Sequence, residues 1–154
     1  MPETASPSTT ADPALARVIA QVESSGQICA VRFEPSVYAD CPQSSGIVSK
    51  IARLNFCDIQ TARVIYSTSY GLYQIMGFNL YGGLGYENPI LQFWENAGEQ
   101  EKMFTQFLND NEIDFTWKAL KDSPDLLRHF AATYNGDAGA YSASMLRAAR
   151  ILGL

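Results

Sequence analysis

The chain has 154 residues, the size of one domain with a substantial hydrophobic core. Hydrophobic residues make up 47% of it and charged residues 18%, a composition typical of a globular protein and not of a disordered one. The net charge of −5, without any run of Lys or Arg, excludes the basic surface that a nucleic-acid partner needs.

The first eleven residues differ in composition from the rest. They are rich in Pro, Ser and Thr and lack apolar periodicity, so we predict a flexible tail over residues 1–11 and one domain over residues 12–154. No export signal and no 18-residue apolar membrane span is recognisable. We therefore expect synthesis in the cytoplasm. There Cys29, Cys41 and Cys57 stay mostly reduced, and one disulfide with one free thiol is the open alternative.

The first helix is predicted to begin at Asp12-Pro13, an N-cap followed by a proline at the first helical position, and to stop at Gly26. Glu23 lies beside the apolar stripe of this helix and in its last turn. Burial and the helix dipole both disfavour a negative charge there, so we expect a raised pKa. An ordinary exposed glutamate at a helix end is the alternative interpretation.

The rest of the chain is predicted to be mostly helical. Apolar spacing and capping residues indicate helices over residues 46–54, 58–66, 88–95, 99–110, 113–121, 123–134 and 138–152. Residues 27–45 and 68–87 contain Gly, Pro, Tyr and Asn without helical periodicity. We predict that these two segments are loops or short strands and that they form the functional site.

Two further segments carry polar groups of interest. Gln74 follows Gly71-Leu72-Tyr73, and its amide could orient a sugar hydroxyl or a carboxyl; an ordinary buried turn is the alternative. Tyr134 continues the apolar face of the helix over residues 123–134, and Asn135-Gly136 ends that helix. The Tyr134 hydroxyl then needs a partner, either an acid in a cleft or a backbone carbonyl.

Other chemistries are weakened or excluded. His129 is the only histidine, which excludes zinc amidases and peptidases that use two or more imidazoles. A Cys–His peptidase lacks any local signature around the three cysteines. Most aromatic residues fall at helical spacing and are predicted to be core, whereas Tyr70, Tyr73 and Tyr81 lie in loops where they could stack on sugars. No metal or organic cofactor is implied.

Three segments occur in a fixed order: Glu23-Ser24, then Ser69-Tyr70-Gly71-Leu72-Tyr73-Gln74, then Ala132-Thr133-Tyr134-Asn135. In this order they resemble the lysozyme-like superfamily of lytic transglycosylases and goose-type lysozymes, and most closely its phage-associated N-acetylmuramidases. The resemblance spans about residues 12–152. It implies an all-α, lysozyme-like fold with a cleft lined by loops or short strands. The chain departs from the family pattern at two points. Tyr73 stands where Met is usual, and the stretch between Glu23 and Gly71 is longer than in goose-type enzymes.

The resemblance implies a reaction and roles. The reaction is cleavage of the β-1,4 bond between N-acetylmuramic acid and N-acetylglucosamine in peptidoglycan. Glu23 is the implied catalytic acid/base, since the leaving glycosidic oxygen must receive a proton. Ser69, Gln74, Tyr134 and Asn135 are the implied positioning residues, and Tyr73 is part of the cleft wall.

Hydrolysis needs a second carboxylate beside the catalytic acid, whereas lytic transglycosylation does not. In an inverting hydrolase the two carboxyl groups lie roughly 6.5–9.5 Å apart, and in a retaining enzyme they lie about 5–5.5 Å apart. Glu34 and Asp40 are the candidates, and Glu34 resembles an acidic residue of the phage enzymes. A lytic transglycosylase needs none, because the muramoyl C6 hydroxyl attacks and leaves a 1,6-anhydro product.

The resemblance also implies a biological setting. We expect a monomeric, bacteriolytic phage endolysin, released with the help of a holin, that degrades the cell wall from the periplasm. A virion-carried enzyme and a secreted effector are alternatives of the same chemistry. A catalytically silent module that binds wall glycan or builds a phage tail is the alternative from another class.

Overall fold

The computed structural model describes residues 10–154, so residues 1–9 of the predicted tail lie outside the described residues. Ala11, which the sequence placed in the tail, is buried. Its backbone N–H donates a hydrogen bond to Oγ1 of Thr105 at 3.2 Å. The packed part of the domain therefore includes Ala11.

Ten helices and three short strands form the described part of the chain. The helices are α1 (Pro13–Ser24), α2 (Pro35–Asp40), α3 (Gly46–Asn55), α4 (Ile59–Tyr66), α5 (Gly77–Tyr81), α6 (Ile90–Trp94), α7 (Ala97–Asp110), α8 (Trp117–Asp122), α9 (Pro124–Asn135) and α10 (Ala138–Leu152). The strands are β1 (Val31–Phe33), β2 (Thr68–Tyr70) and β3 (Ile75–Met76). The predicted mainly α fold is confirmed.

Three details differ from the sequence prediction. Helices α2 and α5 lie in segments predicted as loops or short strands, because helices of six and five residues are too short to show a period. The helix predicted over residues 113–121 begins only at Trp117. Its start is set by Thr116, whose hydroxyl accepts a hydrogen bond from the N–H of Ala119 at 3.2 Å.

Helix α1 is held at both ends. At its start Asp12 accepts hydrogen bonds from the N–H groups of Leu15, at 3.0 Å, and of Trp117, at 2.9 Å, so one cap also fixes the start of α8. At its end Ser25 and Gly26 both have positive φ angles, of 54° and 75°. This left-handed pair stops the helix one residue before the predicted Gly26.

The strands form one small antiparallel sheet in the order β1-β2-β3. Arg32 of β1 lies opposite Ser69 of β2, and Tyr70 lies opposite Ile75 of β3. A tight turn over residues 71–74 joins β2 to β3, with positive φ angles at Gly71 (79°) and Gln74 (48°). The sheet therefore presents this turn beside the end of α1.

The core surrounds α1, α9 and α10. Leu15, Val18 and Ile19 of α1 are completely buried, and α10 packs against both α1 and α9. This packing brings the last turn of α1 next to α10. No helix within residues 10–154 is both long and apolar enough to cross a membrane. The three cysteines are free thiols.

Candidate active site

A cavity of about 180 Å³ opens between the end of α1, the 71–74 turn and the end of α9. Five residues that the sequence singled out line it: Glu23, Tyr73, Gln74, Tyr134 and Asn135. They come from segments more than 110 residues apart in the chain, so the fold gathers these five residues at one place. Three other cavities, of about 260, 330 and 400 Å³, are larger, so composition and not size singles out this one.

Glu23 is the titratable centre of this cavity. Its Oε1 accepts a hydrogen bond from the hydroxyl of Tyr141 at 2.6 Å. Burial raises the pKa of Glu23 above its ordinary value, against smaller opposing effects from this hydrogen bond and from the charge of Arg32. The sequence also predicted a raised pKa for Glu23. The main cause of this shift is the removal of the carboxyl from water.

Tyr141 is a residue of the candidate site that the sequence analysis did not single out. It lies on the buried face of α10 and is 6% exposed. The sequence argument that a buried tyrosine needs a polar partner was applied to Tyr134, but it holds equally for Tyr141. Tyr134 instead donates to the backbone carbonyl of Tyr73 at 3.3 Å.

Aromatic rings form one wall of the cavity. Tyr134 stacks on Tyr141 and on Phe130, each at a centroid distance of 5.7 Å. Part of Tyr134 is exposed, while its hydroxyl is enclosed and its pKa is raised by burial. Tyr73 stacks on Phe104 with centroids 4.1 Å apart. Burial also raises the pKa of Tyr73, to about 12, so these hydroxyls stay protonated at neutral pH.

Ser69 and Gln74 hydrogen-bond to each other and hold the 71–74 turn. The hydroxyl of Ser69 donates to Oε1 of Gln74 at 2.8 Å, and Nε2 of Gln74 donates to the carbonyl of Gly71 at 3.0 Å. Ser69 is 1% exposed and lies behind the cavity wall, whereas Gln74 is part of the wall. The structure thus gives both residues a role in holding the turn that carries Tyr73.

A buried glutamine of α7 supports the same turn from behind. Oε1 of Gln100 accepts a hydrogen bond from the N–H of Leu72 at 2.8 Å, and its Nε2 lies 2.9 Å from the carbonyl of Trp94 and 3.1 Å from that of Ile28. A Cβ on Gly71 would come within 2.5 Å of this amide, so a glycine is needed there. The sequence could have indicated Gln100 as a structural residue, because it is a glutamine on the apolar face of α7.

The two candidates for a second carboxylate are outside the cavity wall. Oε1 of Glu34 accepts a hydrogen bond from Nε of Arg32 at 2.6 Å, and Asp40 is an exposed residue at the end of α2. Arg32, which sequence reasoning did not single out, does line the cavity. The sequence could have indicated Arg32, because side chains alternate along an extended segment and Arg32 and Glu34 therefore lie on one face of it.

The structure contradicts sugar stacking by the three loop tyrosines. Tyr70, Tyr73 and Tyr81 are 7%, 6% and 1% exposed, so their rings belong to the core, although Tyr73 also lines the cavity. The hydroxyl of Tyr81 donates to the carbonyl of Asn88 at 3.0 Å. His129 is exposed on α9, and within residues 10–154 no three His, Cys, Asp or Glu side chains are grouped as metal ligands.

Comparison with known proteins assigns the family. Residues 21–150 match the sequence model of the muramidase family, described as N-acetylmuramidase. The chain belongs to the N-acetylmuramidase family. The muramidase is also 35% identical over 142 residues to an endolysin of Enterobacteria phage PRD1, an alignment that covers 89% of this chain and 95% of the relative. No solved structure matches it.

Family membership confirms the assignment made from the three ordered segments. The muramidase is a glycosidase that acts on peptidoglycan. The matched range includes Glu23, the sheet, the 71–74 turn, Tyr134 and Tyr141. The cavity that carries these groups is therefore the candidate active site of the muramidase.

Proposed function

We propose that Glu23 is the general acid/base with which this muramidase cleaves the β-1,4 bond between N-acetylmuramic acid and N-acetylglucosamine. The observation that carries the proposal is the partly buried Glu23 carboxyl, bonded to Tyr141 at 2.6 Å in a cavity with an aromatic wall. A raised pKa lets the acid keep its proton to a higher pH than an ordinary glutamate does. That proton is what the leaving glycosidic oxygen needs as its C–O bond breaks.

The surroundings of Glu23 suit both halves of an acid/base cycle. Tyr141 occupies one carboxyl oxygen, which leaves the other for the glycosidic oxygen. Once the proton has been transferred, the carboxylate is stabilised by the Tyr141 hydroxyl and by the positive charge of Arg32. The same carboxylate can then take a proton from the attacking hydroxyl or water.

The cavity wall supplies the substrate contacts in this proposal. Tyr134 is half-buried and Asn135 is an exposed amide at the end of α9, whereas Tyr73 forms part of the wall with a side chain that is 6% exposed. Ser69 and Gln74 keep the turn in the shape that presents Tyr73. Sugar positioning therefore depends on wall residues and on the turn that holds them.

The biological role that we propose is that of a phage endolysin. The support is the similarity to the endolysin of phage PRD1, which extends over 95% of that relative. We propose that the protein acts as a monomer, because a single chain already brings Glu23, Gln74, Tyr134 and Asn135 together in one cavity. Release by a holin and action on the wall in the periplasm complete this role.

Replacement of Glu23 tests the proposed activity. Glu23→Gln keeps the shape of the side chain and removes the proton, so we expect clearing of a purified peptidoglycan suspension to slow by at least about a hundredfold. Glu95→Gln removes an exposed carboxyl outside the cavity and is the matched control, expected to clear like wild type. Absence of clearing by wild type would indicate a silent glycan-binding module. Equal clearing by Glu23→Gln would refute its catalytic role.

A second candidate outcome is the non-hydrolytic reaction of a lytic transglycosylase. One observation favours it: Glu23 is the only acidic residue among the described residues that line the cavity. Mass spectrometry of the released fragments separates the two outcomes. Reducing muramoyl ends indicate hydrolysis, and 1,6-anhydromuramoyl ends indicate transglycosylation.

A further inference from the structure

Arg32 and Glu34 form an ion pair at the edge of the candidate active site. Nε of Arg32 lies 2.6 Å from Oε1 of Glu34, and the two side chains are 64% and 30% exposed. Arg32 lines the cavity that contains Glu23, whereas Glu34 does not. Arg32 is therefore part of the candidate site, and Glu34 lies outside the cavity.

The backbones of both residues are fixed, and Arg32 lies opposite Ser69 in the sheet, with its carbonyl accepting from the Ser69 hydroxyl at 3.3 Å. The N–H of Glu34 donates to the carbonyl of Ser67 at 2.9 Å, and its carbonyl accepts from the N–H of Tyr38 at 3.0 Å. Pro35 follows directly and begins α2. Arg32 has a long side chain that is mostly exposed, so its guanidinium takes a defined position only through a partner.

We propose that Glu34 is a positioning residue that holds the Arg32 guanidinium in the cavity wall, and that it takes no proton in the reaction. The proposal rests on Glu23 being the acid/base. Arg32 then stabilises the carboxylate that Glu23 becomes after it has protonated the leaving oxygen. Glu34 affects catalysis only by fixing the position of the Arg32 guanidinium.

The electrostatic surroundings of Glu23 make Arg32 the charged group to consider. Glu23 faces Tyr141 of α10, Tyr134 of α9, Tyr73 of the turn and Arg32 of β1. Burial raises the pKa values of the three tyrosines, so they stay neutral across the working range. A change in the position of Arg32 therefore changes the charge near Glu23.

Two substitutions at Glu34 separate positioning from general-base catalysis. Glu34→Gln keeps an oxygen that can accept from Arg32, so we expect kcat/KM close to wild type. Glu34→Ala removes the acceptor, and we expect a roughly two- to fivefold loss because an exposed ion pair holds its members weakly. If Glu34 activated water, both variants would lose at least about a hundredfold, which would overturn the proposal.

A double-mutant cycle and a pH profile complete the test. In the Arg32→Ala background, Glu34→Ala is expected to cause no further loss; additive losses would overturn the proposal. Glu23 must be protonated to act, and Arg32 lowers its pKa. Arg32→Ala should therefore move the alkaline limb of kcat/KM to higher pH, and a shift of Arg32→Ala to lower pH would contradict this inference.

The ion pair Lys118–Asp122 of α8 is a matched control, with 2.7 Å between its charged atoms and both side chains exposed. Asp122→Asn should leave kcat/KM and its pH profile unchanged. Thermal unfolding of every variant checks that the fold is intact. Failure of the proposed function would appear as full activity in Glu23→Gln, an outcome that does not depend on either residue of the Arg32–Glu34 pair.

Discussion

At the scale of single residues, the candidate site consists of one acid and the groups that tune it. Burial raises the pKa of Glu23, while the Tyr141 hydroxyl and Arg32 act in the opposite direction. The acid is thus neither left as an ordinary surface glutamate nor buried without partners. This balance suits a group that must first release a proton and then accept one.

Removal of the Tyr141 hydroxyl should change this balance. In Tyr141→Phe the carboxylate of Glu23 loses its hydrogen bond, so its pKa rises and the alkaline limb of kcat/KM moves to higher pH. We expect kcat to fall about tenfold, since a hydrogen bond to a charged group contributes ~1.5–3 kcal/mol. A pH–rate profile on soluble peptidoglycan fragments measures both effects.

Tyr38→Phe is the matched control for this substitution. It removes a hydroxyl that bonds to Gln60 at 3.1 Å, outside the cavity. We expect its pH profile to coincide with that of wild type. A shift of Tyr141→Phe toward lower pH would contradict the assigned role of the hydroxyl.

The sequence predicted the acid but not its partner, for a physical reason. Glu23 is marked by local features: a helix end, an apolar stripe and a following glycine. Tyr141 is recognisable only as a tyrosine on the buried face of α10, and its contact with Glu23 depends on how α10 packs against α1. Local patterns carry no information about which buried hydroxyl meets which carboxyl.

At the scale of elements, the 71–74 turn is positioned by α7. Gln100 is completely buried and bonds to the backbone of the turn and to the end of α6. The helix itself was predictable from its apolar period, as were α1, α3, α4, α9 and α10. The short α2 and α5 were not, because their ends are set by tertiary contacts and not by a repeat.

Replacement of Gln100 should destabilise the site and the fold together. In Gln100→Ala the buried N–H of Leu72 and the carbonyl of Trp94 lose their partner, so we expect a loss of ~2–4 kcal/mol in the free energy of unfolding. Urea unfolding followed by circular dichroism measures it. Gln106→Ala on the same helix removes one bond, to the carbonyl of Leu84, and should cost less than half as much. Equal effects of the two would contradict the central role of Gln100.

At the scale of the whole molecule, a partly buried carboxyl group such as that of Glu23 costs stability. Glu23 has a raised pKa in the folded chain and its ordinary value, 4.5, in the unfolded chain. As pH rises above 4.5, the unfolded chain releases this proton first, and the folded state loses stability until the raised pKa has been passed. The site thus lowers the free energy of unfolding at neutral pH.

Glu23→Gln should therefore stabilise the protein while inactivating it. We expect its Tm to match wild type near pH 4 and to exceed it at pH 7, where the wild-type carboxyl has to ionise in a buried place. Calorimetry across this pH range tests the expectation. The exposed Glu95→Gln should show no such trend, and a Tm difference that is the same at every pH would contradict burial as its cause.

The contact between Glu23 and Tyr141 also has a consequence for synthesis. The two residues are 118 positions apart, on the first and the last helix. A growing chain carries the acid, the sheet and most of the cavity wall well before it carries the hydroxyl that orients the acid. The order of translation therefore makes α10 appear after every other element of the candidate site, and chains that lack it carry an acid without its hydrogen-bond partner.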